Sequence, residues 1–549
     1  MPDTPYDVIV IGAGPNGLTC AAYLARAGAA VALVERNIET GGGLVTEELS
    51  GFKLTYHATY MMLAEQMPPY SDLGLRDWGV RFVRPETQAA FLFERGKSLV
   101  LSADPAKSRA AVAQLSPRDA SAFERLATEF GEICDAFLIP ATYLPPVEAL
   151  EQVTLLEESD DLGRKINAFS EMSPHEVIHS YGFEDPRIEG ALLYLACLFG
   201  LDPDEGGMGF LTPIYVHRLM NAGLIRGGTH HLASSMRRVI ESHNGEIFTA
   251  SEVDRLLFSP GGEVRGVRLA NGRELHARAV VSTLNPRQTF VTLVADDDRK
   301  HVPSDIAEGA SEWQWDETSL FVSLRGVVGE PPRYEGYDRE VDTALLVVFG
   351  YETVDDVLDH YRSVHAGKLP DRVAGHGSCP SLFDPLLVPN HVPYGPHHVL
   401  RFECWAPYDA DWSDRAAKAA YGERCFELWS RYAPNIQRGN VRVRVDWSPR
   451  DIKTQLATMA RGSIKHGAYL TLQMGYNRPN PDCSCYRTPI PGLYVGGASV
   501  HPGGMVILGP GYNASRVVAE DLGLPVWWEE PEMVQLARAR GYLPQAARG

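Results

Sequence analysis

Residues 6–35 read YDVIVIGAGPNGLTCAAYLARAGAAVALVE, and this stretch decides the fold. Tyr6 to Ile11 is a short β-branched run with no charge after Asp7, the pattern of a strand buried on both faces of a parallel sheet. Gly12-Ala-Gly14-Pro-Asn-Gly17 follows at once, and Leu18 to Gly28 is small and apolar with helical spacing, Gly28 standing where a C-cap is expected. Val31 to Val34 is a second strand, ending at Glu35. Strand, GxGxxG, helix, strand and terminal acid in register predict a dinucleotide-binding βαβ unit. Gly12 permits the tight turn, Gly14 lets the backbone approach a pyrophosphate, and Gly17 allows the helix to pack closely on the strand. The helix N-terminus offers free N–H groups and the positive end of its dipole to phosphates. Glu35 is placed to accept hydrogen bonds from a ribose, which disfavours a 2′-phosphate there.

A second glycine cluster, Gly41-Gly42-Gly43, lies in RNIETGGGLVTEE just after that acid, where flavoproteins run a turn beside the extended pyrophosphate and ribityl chain of FAD. Almost 500 residues later a strand (Leu493 to Val495), a glycine-rich turn (Gly496 to Gly511) and a helix (Ala514 to Leu522) recur, and a helix N-terminus there suits negative charge on a reduced flavin ring. FAD is therefore the expected cofactor. Between the ends, Gly227-Gly228 leads into an amphipathic helix, LASSMRRVIESHNG, that stops at Gly245, and 245–283 reads as a strand meander with Asn271-Gly272 as a type I′ hairpin turn. Asp119 to Phe137 reads as a helix, Ala191 to Leu201 as a buried apolar segment, and Thr343 to Phe349 and His398 to Cys404 as strands.

The segments GGGLVTEELSGFKLTYHATYMML (41–63), IRGGTHHLASSM (225–236), GSIKHGAYLTLQMGYNRP (462–479) and YRTPIPGLYVGGASVHPGG (486–504) resemble the phytoene desaturase-like branch of the FAD-dependent amine oxidase superfamily. Within it they are most similar to the pyridine nucleotide-disulphide oxidoreductase domain-containing protein 2 subgroup. Leu44 stands where carotenoid desaturases usually carry Arg, a departure that argues against a carotene substrate. The resemblance implies an α/β architecture in which a discontinuous Rossmann-like FAD-binding domain (1–75, 218–295 and 485–525) carries an inserted α+β substrate domain (76–217 and 296–484), followed by a tail (526–549) whose Trp527-Trp528 pair packs on the body or on another subunit. It places the Val253 backbone near adenine and ends a strand at Ser282-Thr283 beneath the cofactor.

Expected cofactor contacts are Gly12, Gly14, Pro15, Asn16, Gly17, Glu35, Arg36, Gly42, Gly43, Leu44, Tyr60, Val253, Gly497, Ala498, Gly504, Met505 and Val506. Tyr56, His57 and Tyr60 are expected to shape the flavin front or the pocket mouth. The catalytic candidates are His501, in the glycine turn under the ring, with helix capping or ring packing as its competing role; His466, in GSIKHG; and Glu403, flanked by Phe402, Cys404 and Trp405, where a salt-bridged structural role competes with proton transfer.

The balance of 51 Lys+Arg against 70 Asp+Glu gives −19, which disfavours nucleic-acid partners. Eight scattered cysteines fit buried free thiols in a reducing cytoplasm. No signal peptide or membrane span is expected, although peripheral lipid contact and a homo-oligomer stay open. A metal centre is not expected: no zinc spacing or HExxH helix is recognised, and the adjacent pairs His230-His231 and His397-His398 do not share a face. No second GxGxxG unit, CxxxxC pair or GxSxG elbow is found. The expected activity is hydride transfer to flavin N5 from a hydrophobic or cyclic organic substrate by a dehydrogenase, desaturase or oxidase, with oxygen or a quinone as electron acceptor. Amine oxidation, double-bond isomerisation and non-catalytic flavin binding are the alternatives.

Overall fold

In the computed structural model, residues 6–63, 66–389 and 396–545 are described. Residues 1–5 and 64–65 of the expected cofactor segments, 390–395 of the expected substrate segment and 546–549 of the tail lie outside them. Two seven-stranded sheets organise the chain. The first is built on Tyr6–Ile11, which pairs in parallel with Val31–Val34 on one side and Glu274–Ser282 on the other. Glu246–Phe248 extends the sheet beyond Val31–Val34, and Leu493–Val495 adds alongside Ser282. The register aligns Ile11 with Val34 and Ser282, Phe248 with Val34, and Val495 with Ser282. All five parallel strands thus finish at one edge, where ligands bind in open α/β sheets. Val264–Leu269 and Val253–Phe258 complete the sheet as antiparallel strands.

Sequence and backbone differ at instructive points. The hairpin turn at Asn271-Gly272 is not type I′, because Gly272 alone has positive φ (+87°) and its N–H donates to the Leu269 carbonyl. This is a four-residue turn closed by a left-handed glycine, which spares Asn271 the strained conformation. The helix expected from Leu18 starts at Pro15, the one expected from Leu232 starts at His230, and the last one starts at Gly509. The helix from Asp119 ends at Ile133 and passes into a π-turn, Cys134–Leu138. Thr343 belongs to a 3₁₀ turn, so its strand is only Leu346–Phe349.

The second sheet runs Val441–Trp447, Thr318–Val328, His397–Pro407, Gly375–Ser378, Leu346–Phe349, Thr87–Leu92 and Ser98–Ser102. Side chains alternate across it. Phe321, Phe349 and Phe402 point into an aromatic core with Trp412, Tyr421 and Trp429, which the helix Arg415–Tyr432 helps to close. Leu320, Val322, Arg401 and Glu403 face the opposite way, toward the carboxyl edge of the first sheet. The tail closes on the body: Trp527 stacks on Tyr23 at 5.2 Å and Trp528 meets the same ring edge-on at 4.8 Å. The eight cysteines are free thiols, seven of them buried; burial pushes Cys20 up to about 12. Among the described residues no helix is long and apolar enough to cross a membrane.

Candidate active site

One large cleft, with about 1790 Å³ of atom-free space including its mouth, runs from the carboxyl edge of the first sheet to the inner face of the second. Its first part is a glycine-lined cradle. A Cβ on Gly17 would lie 1.9 Å from the Gly12 carbonyl oxygen, and one on Gly12 would lie 2.6 Å from Thr283 Oγ1, so both glycines are required by the close approach of strand and helix. Gly14 differs: a Cβ there would meet no protein atom within 4 Å. The helix Pro15–Arg26 begins in this free space with no side chain capping it, and its first-turn N–H groups need an acceptor. At Gly42, which has φ +54°, an added Cβ would lie 3.0 Å from the Gly14 Cα, so the second glycine turn packs directly against the first. The buried Asn16 Oδ1 has no protein partner. The Glu35 carboxylate is fixed by the N–H groups of Ala13 (2.8 Å) and Asn37 (2.9 Å) at the cleft wall.

The cleft ends in a mixed chamber. Met62, Phe199, Leu320, Val322 and Ile464 supply apolar wall, and Tyr60, Arg401, Glu403 and His466 supply the polar groups. Arg401 is fully buried and pairs through Nε with Glu403 Oε1, while its Nη2 donates to the His57 carbonyl at 2.9 Å. The guanidinium thereby ties the second sheet to the segment that follows the glycine turn. Behind it, His376 Nδ1 lies 3.0 Å from the Tyr194 hydroxyl, and its Nε2 lies 3.5 Å from Tyr60. Burial holds His57, His376 and His466 down to about 4, so all three rings are neutral near pH 7. His57 Nε2 meets Gln455 Oε1 at 2.9 Å, whereas His466 Nδ1 has no protein partner. The floor is a turn in which Met505, Val506 and Leu508 all have positive φ (74°, 56° and 60°). Such strain in non-glycine residues, one of them β-branched, concentrates at functional sites.

A family model described as flavin containing amine oxidoreductase matches residues 16–303. The chain belongs to this family. It is 40% identical to a subunit of the limonene dehydrogenase of Castellaniella defragrans over 548 residues, 98% of each chain. It is 29% identical to pyridine nucleotide-disulfide oxidoreductase domain-containing protein 2 of Rattus norvegicus, covering 94% of each. The resemblance to that subgroup holds, but the identity to the limonene dehydrogenase chain is higher. An oxidoreductase of Methanosarcina mazei shares the fold with a TM-score of 0.59 at 18% identity, over 93% of this chain and 99% of that one. The protein is an FAD-dependent oxidoreductase.

As a flavin amine oxidoreductase site, the cleft accepts FAD on the structure's own terms: free space over Gly14, uncapped N–H groups, an orphaned Asn16 oxygen and a second glycine turn form the cradle. Gly12, Gly14, Pro15, Asn16, Gly17, Glu35, Arg36, Gly42, Gly43, Tyr60, Val253, Ala498, Gly504, Met505 and Val506 all line the cleft, as do His466 and Glu403. Leu44, Gly497 and His501 are not part of its lining. Leu44 is buried in the core. A Cβ on Gly497 would lie 2.3 Å from the Thr283 carbonyl oxygen, so this glycine serves chain packing. His501 Nε2 lies 3.0 Å from the Ala141 carbonyl, which makes it the donor and ties the turn to a neighbouring helix.

Sequence alone did not bring out Arg401 or the lining segment Gln455–Met459. Arg401 is one strand period from Glu403, and that alternation was the available signal; the 455–459 segment carries none. Contrary to the expectation of no metal-type ligand spacing, His175-Glu176-Val177-Ile178-His179 has the HExxH pattern, and the fold brings Glu189 to it.

Proposed function

We propose that the protein oxidises a C–H bond of a hydrophobic cyclic substrate held in the chamber between Phe199, Leu320, Val322 and Tyr60. The observation that carries this reading is the continuity of the cleft: the wall beyond the cofactor cradle is apolar and lies in the same cavity as the strained turn Met505-Val506. FAD, when bound, supplies the hydride acceptor, its N5. The apolar walls desolvate a hydrocarbon and hold it in one orientation. The neutral His466 lines the cleft, and its Nδ1, which has no protein partner, is available as a hydrogen-bonding group. Any proton released is taken at the Glu403 carboxylate, which Arg401 orients through Oε1. The name of the limonene dehydrogenase relative supports a cyclic hydrocarbon as the substrate class.

In this reading 1–75, 218–295 and 485–525 form the cofactor unit, 76–217 and 296–484 the substrate unit, and electrons leave to oxygen or a quinone. The test is to mix purified yellow protein, without oxygen, with cyclic terpenes, linear polyenes and primary amines. Loss of the visible flavin absorbance with a cyclic terpene is the expected result. Bleaching by amines alone, or turnover only after prior reduction with no net change in redox state, overturns it in favour of amine oxidation or isomerisation.

A further inference from the structure

The helix Pro174–His179 carries His175 and His179 four residues apart, hence on one face. Opposite them stands Glu189, in the first turns of the helix Pro186–Cys197. Glu189 Oε1 lies 2.8 Å from His179 Nδ1 and 3.7 Å from His175 Nε2, and the three ligand atoms all fall within 4.8 Å of one another. Two nitrogens and one oxygen bound to a tetrahedral ion at ordinary zinc distances stand about 3.3 Å apart, so the two observed separations bracket the required one. The Glu189 side chain is only 8% exposed and its ion pairs are with these two imidazoles.

We propose that His175, His179 and Glu189 form a binding site for a divalent transition cation of the zinc class, with water completing the coordination. The ligand set of two imidazoles and a carboxylate suits such ions rather than calcium or magnesium, which take oxygen ligands.

The scaffold is fixed before any ion arrives. Ser173 Oγ accepts the Glu176 N–H (3.2 Å) and Glu176 Oε2 accepts the Ser173 N–H (2.8 Å), a reciprocal cap on the helix start. The Asp185 side chain caps the second helix, and the His175 N–H donates to the Pro203 carbonyl at 3.0 Å. The capping role also separates this HExxH from the metalloprotease motif: the carboxylate of Glu176 is engaged at the helix N-terminus and is not a general base. None of the three ligands lines the flavin cleft. The site is therefore a structural clamp between two helices, exposed at His179, whose side chain is 74% accessible.

The test uses the full-length, FAD-loaded protein, freed of metal with EDTA and titrated with Zn²⁺ in competition with a chromogenic chelator. One equivalent is expected to bind the unaltered protein. H179A and E189Q are expected to bind at least tenfold more weakly while keeping the same flavin spectrum, and Zn²⁺ is expected to raise the melting temperature of the unaltered protein but not of H179A. Absence of stoichiometric binding overturns the proposal. So does equal affinity in the unaltered protein and H179A, or loss of binding on replacing His230 and His231 instead.

Discussion

At Gly14 and Gly17 the same added methyl group has two different consequences. Gly17→Ala forces a carbon against the Gly12 carbonyl, so strand and helix must separate; the expected result is failure to fold or a large drop in melting temperature. Gly14→Ala meets only empty space in the protein, so the apoprotein should melt within a degree or two of the original while FAD content after purification falls sharply. If Gly14→Ala retains full FAD, the cradle is not where the pyrophosphate lies. A comparable contrast holds at the chamber wall. Arg401→Ala strands the buried Glu403 and frees the carbonyls of residues 55–57, and removing one partner of a buried pair costs about 3–5 kcal/mol. Replacing both, as Arg401→Met with Glu403→Leu, should recover a large part of that loss. Urea midpoints of the two single variants and the double variant check this, and simple additivity of the single effects contradicts it.

Among the elements, the helix Pro15–Arg26 shows how far a sequence reaches. Its start at Pro15 comes three residues before the Leu18 that apolar spacing suggested, but its glycines and its flanking strands lie within one local motif whose steric demands are fixed by spacing, and these were legible. What covers the helix was not: Trp527 and Trp528 come from the other end of the chain to sit on Tyr23, Trp527 Nε1 donates to the Tyr23 carbonyl at 3.1 Å, and the Arg26 guanidinium lies 3.7 Å from the Trp527 ring centre. Trp528 is 4% exposed, and truncating such a side chain costs about 3–5 kcal/mol. Trp528→Ala should therefore lower the unfolding free energy by that amount and weaken FAD retention, because the phosphate helix loses its backing; a change below about 1 kcal/mol would mean that the tail is an appendage. The second sheet was legible only as isolated strands, expected at 343–349 and 398–404 and found at 346–349 and 397–407. Its order pairs 87–92 with 346–349 and 441–447 with 318–328, contacts set by tertiary packing with no local signature. Glu403 was visible as an acid in an aromatic strand, but its partner Arg401 becomes significant only once the strand's inward face is known. In the same way HEVIH acquires its third group only when the next helix folds against it.

Across the molecule, five histidines are enclosed by the fold. Burial, the largest cause in each case, holds His57, His360, His376, His466 and His501 down to about 4, against an ordinary value near 6.5. The sign follows from linkage. A histidine whose folded pKa is depressed binds its proton more readily in the unfolded chain, so its effect on stability is constant above about pH 6.5 and turns destabilising as pH falls from there toward 4. Each such ring withdraws about 3 kcal/mol over that window, well before the carboxylates held below their usual range, Glu189 and Asp204 among them, begin to protonate. Stability should therefore fall steeply between pH 6.5 and 4 and stay level from pH 7 to 8. His360 allows a clean check because it lies outside the flavin cleft, with Nδ1 bonded to the Tyr351 hydroxyl at 2.7 Å and its ring among Tyr351 and Trp405. His360→Phe keeps an aromatic ring in that cluster and removes the proton site. It should flatten the dependence of unfolding free energy on pH by about 1.4 kcal/mol per pH unit within the window and leave the slope above pH 7 unchanged. Urea denaturation at half-unit pH intervals measures both, and an unaltered slope below pH 6.5 would show that His360 is not among the groups that take up protons when the chain unfolds.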